Sequence, residues 1–318
     1  MEPFETINMA DVPTKSVEYL WEPYLPIGTV SFISGEGGLG KSFFTLAVAA
    51  AVTRGVLLPG AFEALPPSDV IIQNAENPLP TVVKPRLEML GADCSRIHVI
   101  NESDNPLTLT DERIEAAILR HNAKYIVLDP VQFYLGGSVS MNRAESVRPA
   151  LTHLERVAER THSVILLVGH LSKARASAQH RALGSVDLIN AVPSALFLGK
   201  VKGYDDDIRV VAHGKSNYAE LGRSQMFRLG KGKGFEWLGV CDATADEVTA
   251  HNRPHRSSRV EEAVDFMQDL LEENAMLATE VEELAAASGI SERTLKRAKK
   301  IAGVRTARVD GHWQWSIN

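Results

Sequence analysis

The chain has 318 residues, 44% hydrophobic and 23% charged, an ordinary globular balance with room for a large core and a smaller companion domain. Its 34 Lys and Arg against 40 Asp and Glu give a formal net charge of −6, which excludes a global attraction to nucleic acid and leaves only local patches for that purpose. The two cysteines, Cys94 and Cys241, are too far apart in sequence and too few for a disulfide framework or a cysteine-based zinc site, and they suit a reducing compartment.

Met1-Glu2-Pro3-Phe4-Glu5 is acidic and lacks the basic-then-apolar pattern of a signal peptide. No apolar run reaches the roughly 18 residues that would suggest a membrane span, so the cytoplasm is the expected location and no membrane partner is expected. Residues 1–27, with Pro23 and Pro26 close together, read as an extended lead-in rather than a helix. Trp21 and Tyr24 there either stack on a nucleotide base or pack against the first strand or a neighbouring subunit.

Thr29-Val30-Ser31-Phe32-Ile33 reads as a strand, and Phe43 to Val52 as a helix without an internal breaker. Between them, Gly35-Glu36-Gly37-Gly38-Leu39-Gly40-Lys41-Ser42 fits G-x-x-x-x-G-K-[ST], the Walker A phosphate loop. Glycines let successive backbone N–H groups turn toward phosphates, and the helix N-terminus adds partial positive charge. Lys41 supplies a mobile cation for the β- and γ-phosphates, and the Ser42 hydroxyl a ligand for Mg²⁺. A Gly-rich turn followed by chance by Lys-Ser is the bland alternative. The flanking strand and helix argue for a nucleoside triphosphate instead, with Mg²⁺ as its expected companion.

Pro59-Gly60 and Pro66-Pro67 mark an irregular connection. The next run, Asp69 to Asn77, is β-branched and apolar before it turns polar, as in a buried parallel strand that delivers side chains at its C-terminal edge. Glu76 then falls on the rim of the phosphate loop, where a carboxylate can orient or deprotonate the attacking water; otherwise it is a capping residue. Ile97 to Ile100 reads as a short strand, and Asp111 to Arg120 as a helix with Thr110 at its N-cap. Lys124-Tyr125-Ile126-Val127-Leu128-Asp129 is an apolar strand ending in an acid, the Walker B pattern, with Asp129 placed to hold Mg²⁺. Pro130 follows, so no catalytic acid sits directly after Asp129.

A helix through Leu151, Leu154 and Val157 leads to the buried strand Ser163 to His170. His170 is placed either to sense the γ-phosphate or simply to cap or pack. From Leu171 to Ser185 a loop carries Lys173, Arg175 and Arg181; it reads as a lid, a backbone-binding loop for single-stranded nucleic acid, or a solvated segment. Strands resume at Ser194 to Leu198 and at Ile208 to His213, followed by Lys215-Ser216-Asn217 and the strand Ser224 to Leu229. Residues 28–245 form the expected core and 246–258 a linker.

Residues 259–318 change character. Val260, Val264, Met267 and Leu271 repeat at helical spacing. Glu280 to Ala287 is a second helix, Ser288-Gly289-Ile290 a turn, and Ser291 the cap of a third helix through Lys300. Val304 to Ile317, broken at Asp310-Gly311, reads as a hairpin, so the whole describes a winged helix-turn-helix. Arg293, Lys296, Arg297, Lys299 and Lys300 gather on the third helix and Arg305 and Arg308 on the wing, the charge a duplex-DNA contact needs. A protein-interaction winged helix with a merely solvated basic face is the alternative.

Over residues 20–245 the chain resembles the RepA-like branch of RecA/DnaB-type ATPases of plasmids, phages and mobile elements. The likeness rests on Tyr24-Leu25-Pro26-Ile27-Gly28, the loop Gly35 to Ser42, Asn74-Ala75-Glu76, Asp129-Pro130, Gly169-His170 and Gly184-Ser185. It implies an α/β fold, a RecA-like P-loop core with a mostly parallel sheet flanked by helices. It also implies assembly into a homo-oligomeric ring, often hexameric, with nucleotide at subunit boundaries and a K-x-R pattern completing each site in trans. Lys215 matches that pattern, but Asn217 stands where the Arg would fall, leaving Arg209 or Arg223 for the role, or a slow, regulated hydrolysis. The functions implied are a DNA helicase motor acting on single-stranded or duplex DNA, or an ATP-controlled DNA-binding regulator or loader. A small-molecule kinase is disfavoured, since Glu76 is placed to activate water and no acceptor site is evident.

Overall fold

The computed structural model describes residues 6–136, 144–170, 186–230, 234–250, 259–271, 275–309 and 311–317. The chain divides into two compact units, Met1–His251 and Asn252–Asn318.

The first unit opens with a small antiparallel pair, β1 (Tyr19–Trp21) and β2 (Leu25–Pro26). It continues β3 (Thr29–Gly35), α1 (Lys41–Arg54), β4 (Val70–Asn74), α2 (Lys84–Met89), β5 (Ile97–His98), α3 (Glu112–His121) and β6 (Tyr125–Asp129). Then come α4 (Ala144–Thr161), β7 (Val164–His170), α5 (Val186–Ala191), β8 (Ser194–Gly199), β9 (Ile208–Ser216), β10 (Ser224–Gly230), β11 (Gly234–Cys241) and α6 (Ala245–Ala250). Among the described residues, nine strands form one sheet in the order β11-β10-β9-β8-β3-β7-β6-β4-β5. The pairings from β8 through β5 are parallel, and β9, β10 and β11 add an antiparallel arm beyond β8.

The period-two alternation of the central strands between two covered faces explains why they are mostly apolar. Val30, Phe32, Ile126, Leu128, Ile165 and Leu167 face a core completed by Ile114 and Ile118 of α3 and by Leu151, Leu154 and Val157 of α4. Ile33, Val127, Leu166 and Val168 face the opposite core, built with Phe44, Leu46 and Val48 of α1. With both faces covered, the strand ends are where polar side chains can meet a ligand. Register brings those ends level: Gly35 lies beside His170 on one side and Leu198 on the other, and Asn74 lies beside Asp129.

Several local expectations are corrected. Asp111, not Thr110, caps α3, because its carboxylate accepts from the Arg113 N–H at 2.9 Å and an ionised acceptor caps better than a hydroxyl. Strand β11 and helix α6 were not expected, and α6 takes up the first residues of what reads as a linker from 246. Of the two readings of Trp21 and Tyr24, packing against the core that includes Ile33 of β3 is the one observed. Trp21 is fully buried among Tyr24, Phe44 and Trp237, and its indole N–H donates to the Pro59 carbonyl at 2.9 Å.

The second unit contains α7 (Arg259–Leu271), β12 (Met276–Leu277), α8 (Ala278–Ala287), α9 (Glu292–Ile301), β13 (Arg305–Val309) and β14 (His312–Ser316). The sheet order is β12-β14-β13, all antiparallel. Ala263, Met267, Leu271, Val281, Ala285, Leu295, Ala298 and Trp315 form its core. Among the described residues no helix is long and apolar enough to cross a membrane.

Candidate active site

The loop between β3 and α1 begins at buried Gly35 and rises to exposed Gly37 and Gly38 before re-entering at Gly40. Gly40, the N-cap of α1, has φ 99° and ψ 24°, a left-handed conformation that a side chain resists. A Cβ there would lie 2.5 Å from Leu229 Cδ2, so β10 closes over the loop. No side chain caps α1, and a helix start of that kind suits an anion.

Lys41 is 6% exposed, and its ammonium donates to the carbonyls of Gly35 at 2.7 Å and Glu36 at 2.9 Å. Burial lowers its pKa to about 8, while the Asp129, Glu76 and Glu36 carboxylates, in that order, oppose the drop. The ammonium thus folds back into the cradle under three acids drawn from three segments. A polyphosphate entering that cradle would supply the charge compensation that burial removes. Ser42, half-buried, is the second residue of α1.

Asp129, 4% exposed, ends β6. Asn74 at the tip of the neighbouring β4 donates from Nδ2 to Asp129 Oδ2 at 3.2 Å, and the Ala75 N–H donates to the Asp129 carbonyl at 2.9 Å. Asn74 Oδ1 also accepts from the Asn77 N–H at 2.7 Å, a side-chain-to-backbone bond three residues on that fixes how the chain turns away from β4. Glu76 lies in that turn with its side chain exposed. Sequence reasoning named Asn74 only as part of a motif and missed its hydrogen bond to the acid; an Asn at the tip of a strand that pairs with the Asp129 strand was the available signal.

Residues Gly35 to Ser42, Glu76 and Asp129 are therefore gathered at one edge of the sheet. Together they offer a hydroxyl and a carboxylate for Mg²⁺, an ammonium and helix N-terminus for phosphates, and a solvent-facing carboxylate for water. His170 ends β7, the strand between β3 and β6, with its backbone level with Gly35; its side chain lies outside the described residues, as do Lys173, Arg175 and Arg181 in their entirety.

Lys215 is not at this edge. It pairs with Ala195, which is level with Phe32, three residues below Gly35. Its ammonium donates to the Ile189 and Asn190 carbonyls at 3.0 and 2.7 Å, near the end of α5. Arg209 does reach the loop, but that of its own chain: Nε donates to the Leu39 carbonyl at 3.2 Å. Arg223 pairs with Asp242 at 2.9 Å, and Asn217 is exposed.

In the second unit Arg293, Lys296, Arg297 and Lys300 are all exposed on α9, at the i, i+3, i+4, i+7 spacing of one helix face, while Leu295 and Ala298 are buried. Lys296 bridges to Glu292 at 2.6 Å. Exposed Arg308 lies 5.9 Å from the Trp313 ring centroid on the hairpin.

Residues 2–176, more than half of the chain, match the AAA domain family. Among solved structures, the ATPase domain of G40P is similar, with a TM-score of 0.51 and 13% sequence identity over 67% of this chain and 85% of that one. At that identity the likeness is one of fold. No curated protein matches the chain in sequence.

Proposed function

Because the chain belongs to the AAA domain family, we propose that it is a Mg²⁺-dependent ATP hydrolase with a RecA-like core, working as a homo-oligomeric ring on DNA. The observation that carries this reading is the buried Lys41 ammonium, folded onto the Gly35 and Glu36 carbonyls and within electrostatic reach of Asp129 and Glu76. Backbone N–H groups of the loop and Lys41 bind the phosphates; Ser42 and Asp129 hold the Mg²⁺, which draws charge from the phosphate oxygens when bound. Asn74 orients the Asp129 carboxylate from the adjacent strand, much as an outer-shell partner orients a metal ligand. Glu76 takes a proton from the attacking water, and His170 reads the γ-phosphate from the intervening strand.

Gly37 and Gly38 at the crest of the loop are exposed, and Arg209 is engaged with Leu39 of its own chain. This favours completion of the site by a neighbouring subunit, with Lys215 presented there in trans. A hexamer is the assembly this reading takes. The second unit, three helices with an antiparallel hairpin, is read as a winged helix that holds duplex DNA through Arg293, Lys296, Arg297, Lys300 and Arg308. Lys173, Arg175 and Arg181 would contact single-stranded DNA. The motor reading is a replicative helicase of a mobile element.

The test is ATP turnover and unwinding by the purified chain. Single-stranded DNA is expected to stimulate hydrolysis, and a forked duplex to be separated. Glu76→Gln should retain ATP binding and lose about 10²–10⁴ in turnover; unchanged turnover would remove Glu76 from its role. A protein that hydrolyses ATP on DNA yet never separates strands fits the second reading, an ATP-regulated DNA-binding regulator or loader, which Asn217 in place of an arginine favours.

A further inference from the structure

A cluster of side chains of metal-ligating types, Asp69, His98 and His121, lies just before β4, on β5 and on α3, away from the phosphate edge. Asp69 immediately precedes β4, His98 ends β5, and His121 ends α3. Parallel pairing sets His98 beside Ile71 near the start of β4, so the cluster belongs to the edge where the strands enter, opposite the one carrying Gly35 and Asp129. Asp69 is anchored there through its backbone, its carbonyl accepting from the Lys124 N–H at 2.9 Å.

The three side chains converge. His98 Nε2 is 2.8 Å from Asp69 Oδ2, and the His98 and His121 rings stack with centroids 3.6 Å apart and planes inclined by 18°. One ligand atom from each residue can be chosen so that all lie within 4.8 Å of one another. The side chains of Asp69 and His98 are 22% and 25% exposed, enough for an ion to enter and for water to complete its coordination.

We propose that Asp69, His98 and His121 form a binding site for one divalent transition-metal ion of the Zn²⁺ class. Two imidazole nitrogens and one carboxylate oxygen suit Zn²⁺ and its borderline neighbours, whereas Mg²⁺ and Ca²⁺ call for oxygen-rich sets. Bonds of about 2.0–2.1 Å to nitrogen and oxygen in tetrahedral geometry place ligand atoms roughly 3.3 Å apart. The His98–Asp69 pair, 2.8 Å apart, needs to open by about half an ångström to reach that spacing, and the stacked His121 ring must turn so that the ion lies in the plane of both rings. Ligation through His98 Nε2 requires the imidazole proton to sit on Nδ1.

The surroundings fit this role. Arg96 Nη1 holds the other Asp69 oxygen, Oδ1, at 3.0 Å, leaving Oδ2 directed at the histidines, the arrangement by which outer partners fix a ligating carboxylate. Arg96 is itself balanced by Asp93 at 3.7 Å. The ion would fasten edge strand β5, only Ile97–His98 in length, to the C-terminal end of α3. Its role is a structural clasp, since the sheet separates it from the phosphate loop.

The experiment uses the tag-free full chain, stripped with a chelator and titrated with Zn²⁺ in excess Mg²⁺, which occupies the oxygen-rich phosphate edge. One Zn²⁺ per chain is expected, with affinity weakened about tenfold or more in both His98→Asn and His121→Asn, and with ATP binding unchanged. Absence of stoichiometric binding, or equal affinity in the wild type and both variants, would overturn the site. Should either variant fail to fold, Cu²⁺-loaded wild-type protein examined by electron spin-echo spectroscopy must show two coordinated imidazoles; one or none would also overturn it.

Discussion

Arg209 on β9 donates from Nε to the main-chain oxygen of Leu39, 3.2 Å away and inside the phosphate loop. The same guanidinium holds the Ile208 carbonyl at 3.0 Å, and burial lowers its pKa against the opposing pull of Asp206 and Asp207. The antiparallel arm therefore restrains the loop in cis. Arg209→Ala should weaken ATP binding by about three- to tenfold, the effect of losing one hydrogen bond worth about 1 kcal/mol, with kcat little changed. A trans arginine finger would behave differently, losing about 10³–10⁵ in kcat. Steady-state kinetics that separate KM from kcat decide between the two.

Gly40 sits where α1 begins, and Leu229 of β10 covers it. In Gly40→Ala the new Cβ meets only the far end of a leucine side chain, 2.5 Å away, and that contact can relax. The backbone at φ 99° cannot relax without moving the loop, at a cost of about 1–3 kcal/mol. Nucleotide binding should be lost in the single variant and remain lost when Leu229→Ala is added. Recovery of ATP binding in the double variant, measured by calorimetry, would show that the contact rather than the dihedral is limiting.

His213 is 4% exposed and bonded on both sides. Its Nδ1 accepts from the Gly222 N–H at 3.0 Å, and Nε2 lies 3.2 Å from the Ser194 hydroxyl, which in turn donates to the Tyr24 carbonyl at 2.7 Å. That arrangement uses the neutral ring with its proton on Nε2. Burial lowers the pKa to about 4 from 6.5, so between these values the unfolded chain binds the proton and the folded chain does not. Stability from this group is full above about pH 7, falls as pH drops below 6.5 and levels off below about 4, a total loss on the order of 3 kcal/mol. Thermal melts from pH 7.5 to 4 should show this decline, and His213→Phe should flatten it.

The strand ends were legible because the chemistry is local: Gly35 to Ser42 and the apolar run into Asp129 each announce their geometry within ten residues. What was not legible depends on remote partners. Trp21 lies next to the lead-in prolines, yet its cage includes Trp237 of β11, more than two hundred residues later. Arg209 reads as a free cation until β9 and β10 fold back over the loop. Strand β11 did carry a signal in Phe235 and Trp237, which alternate onto Phe227, but its glycines and short length obscured it. The Asp69, His98 and His121 cluster has no sequence spacing to mark it, since three elements and a parallel pairing assemble it.

On α9 the cations divide by what they touch. Arg293, Lys296, Arg297 and Lys300 share the exposed face, whereas the Lys299 ammonium lies 3.7 Å from the Trp315 ring centroid, and Trp315 is 5% exposed in the core. Lys296 must leave Glu292 to reach a phosphate, but a fully exposed i, i+4 pair is weak, so it remains available. If this face binds duplex DNA as proposed, each phosphate contact contributes about 0.9 to the slope of log K against log salt. Arg293→Ala with Arg297→Ala should then lower that slope by about 2. Lys299→Met should leave it unchanged and instead lower the melting temperature, because a cation over a ring that seals the core stabilises folding. A slope that does not move in the arginine double variant, measured by fluorescence anisotropy between 50 and 200 mM salt, would assign the basic face to solvent or to a protein partner.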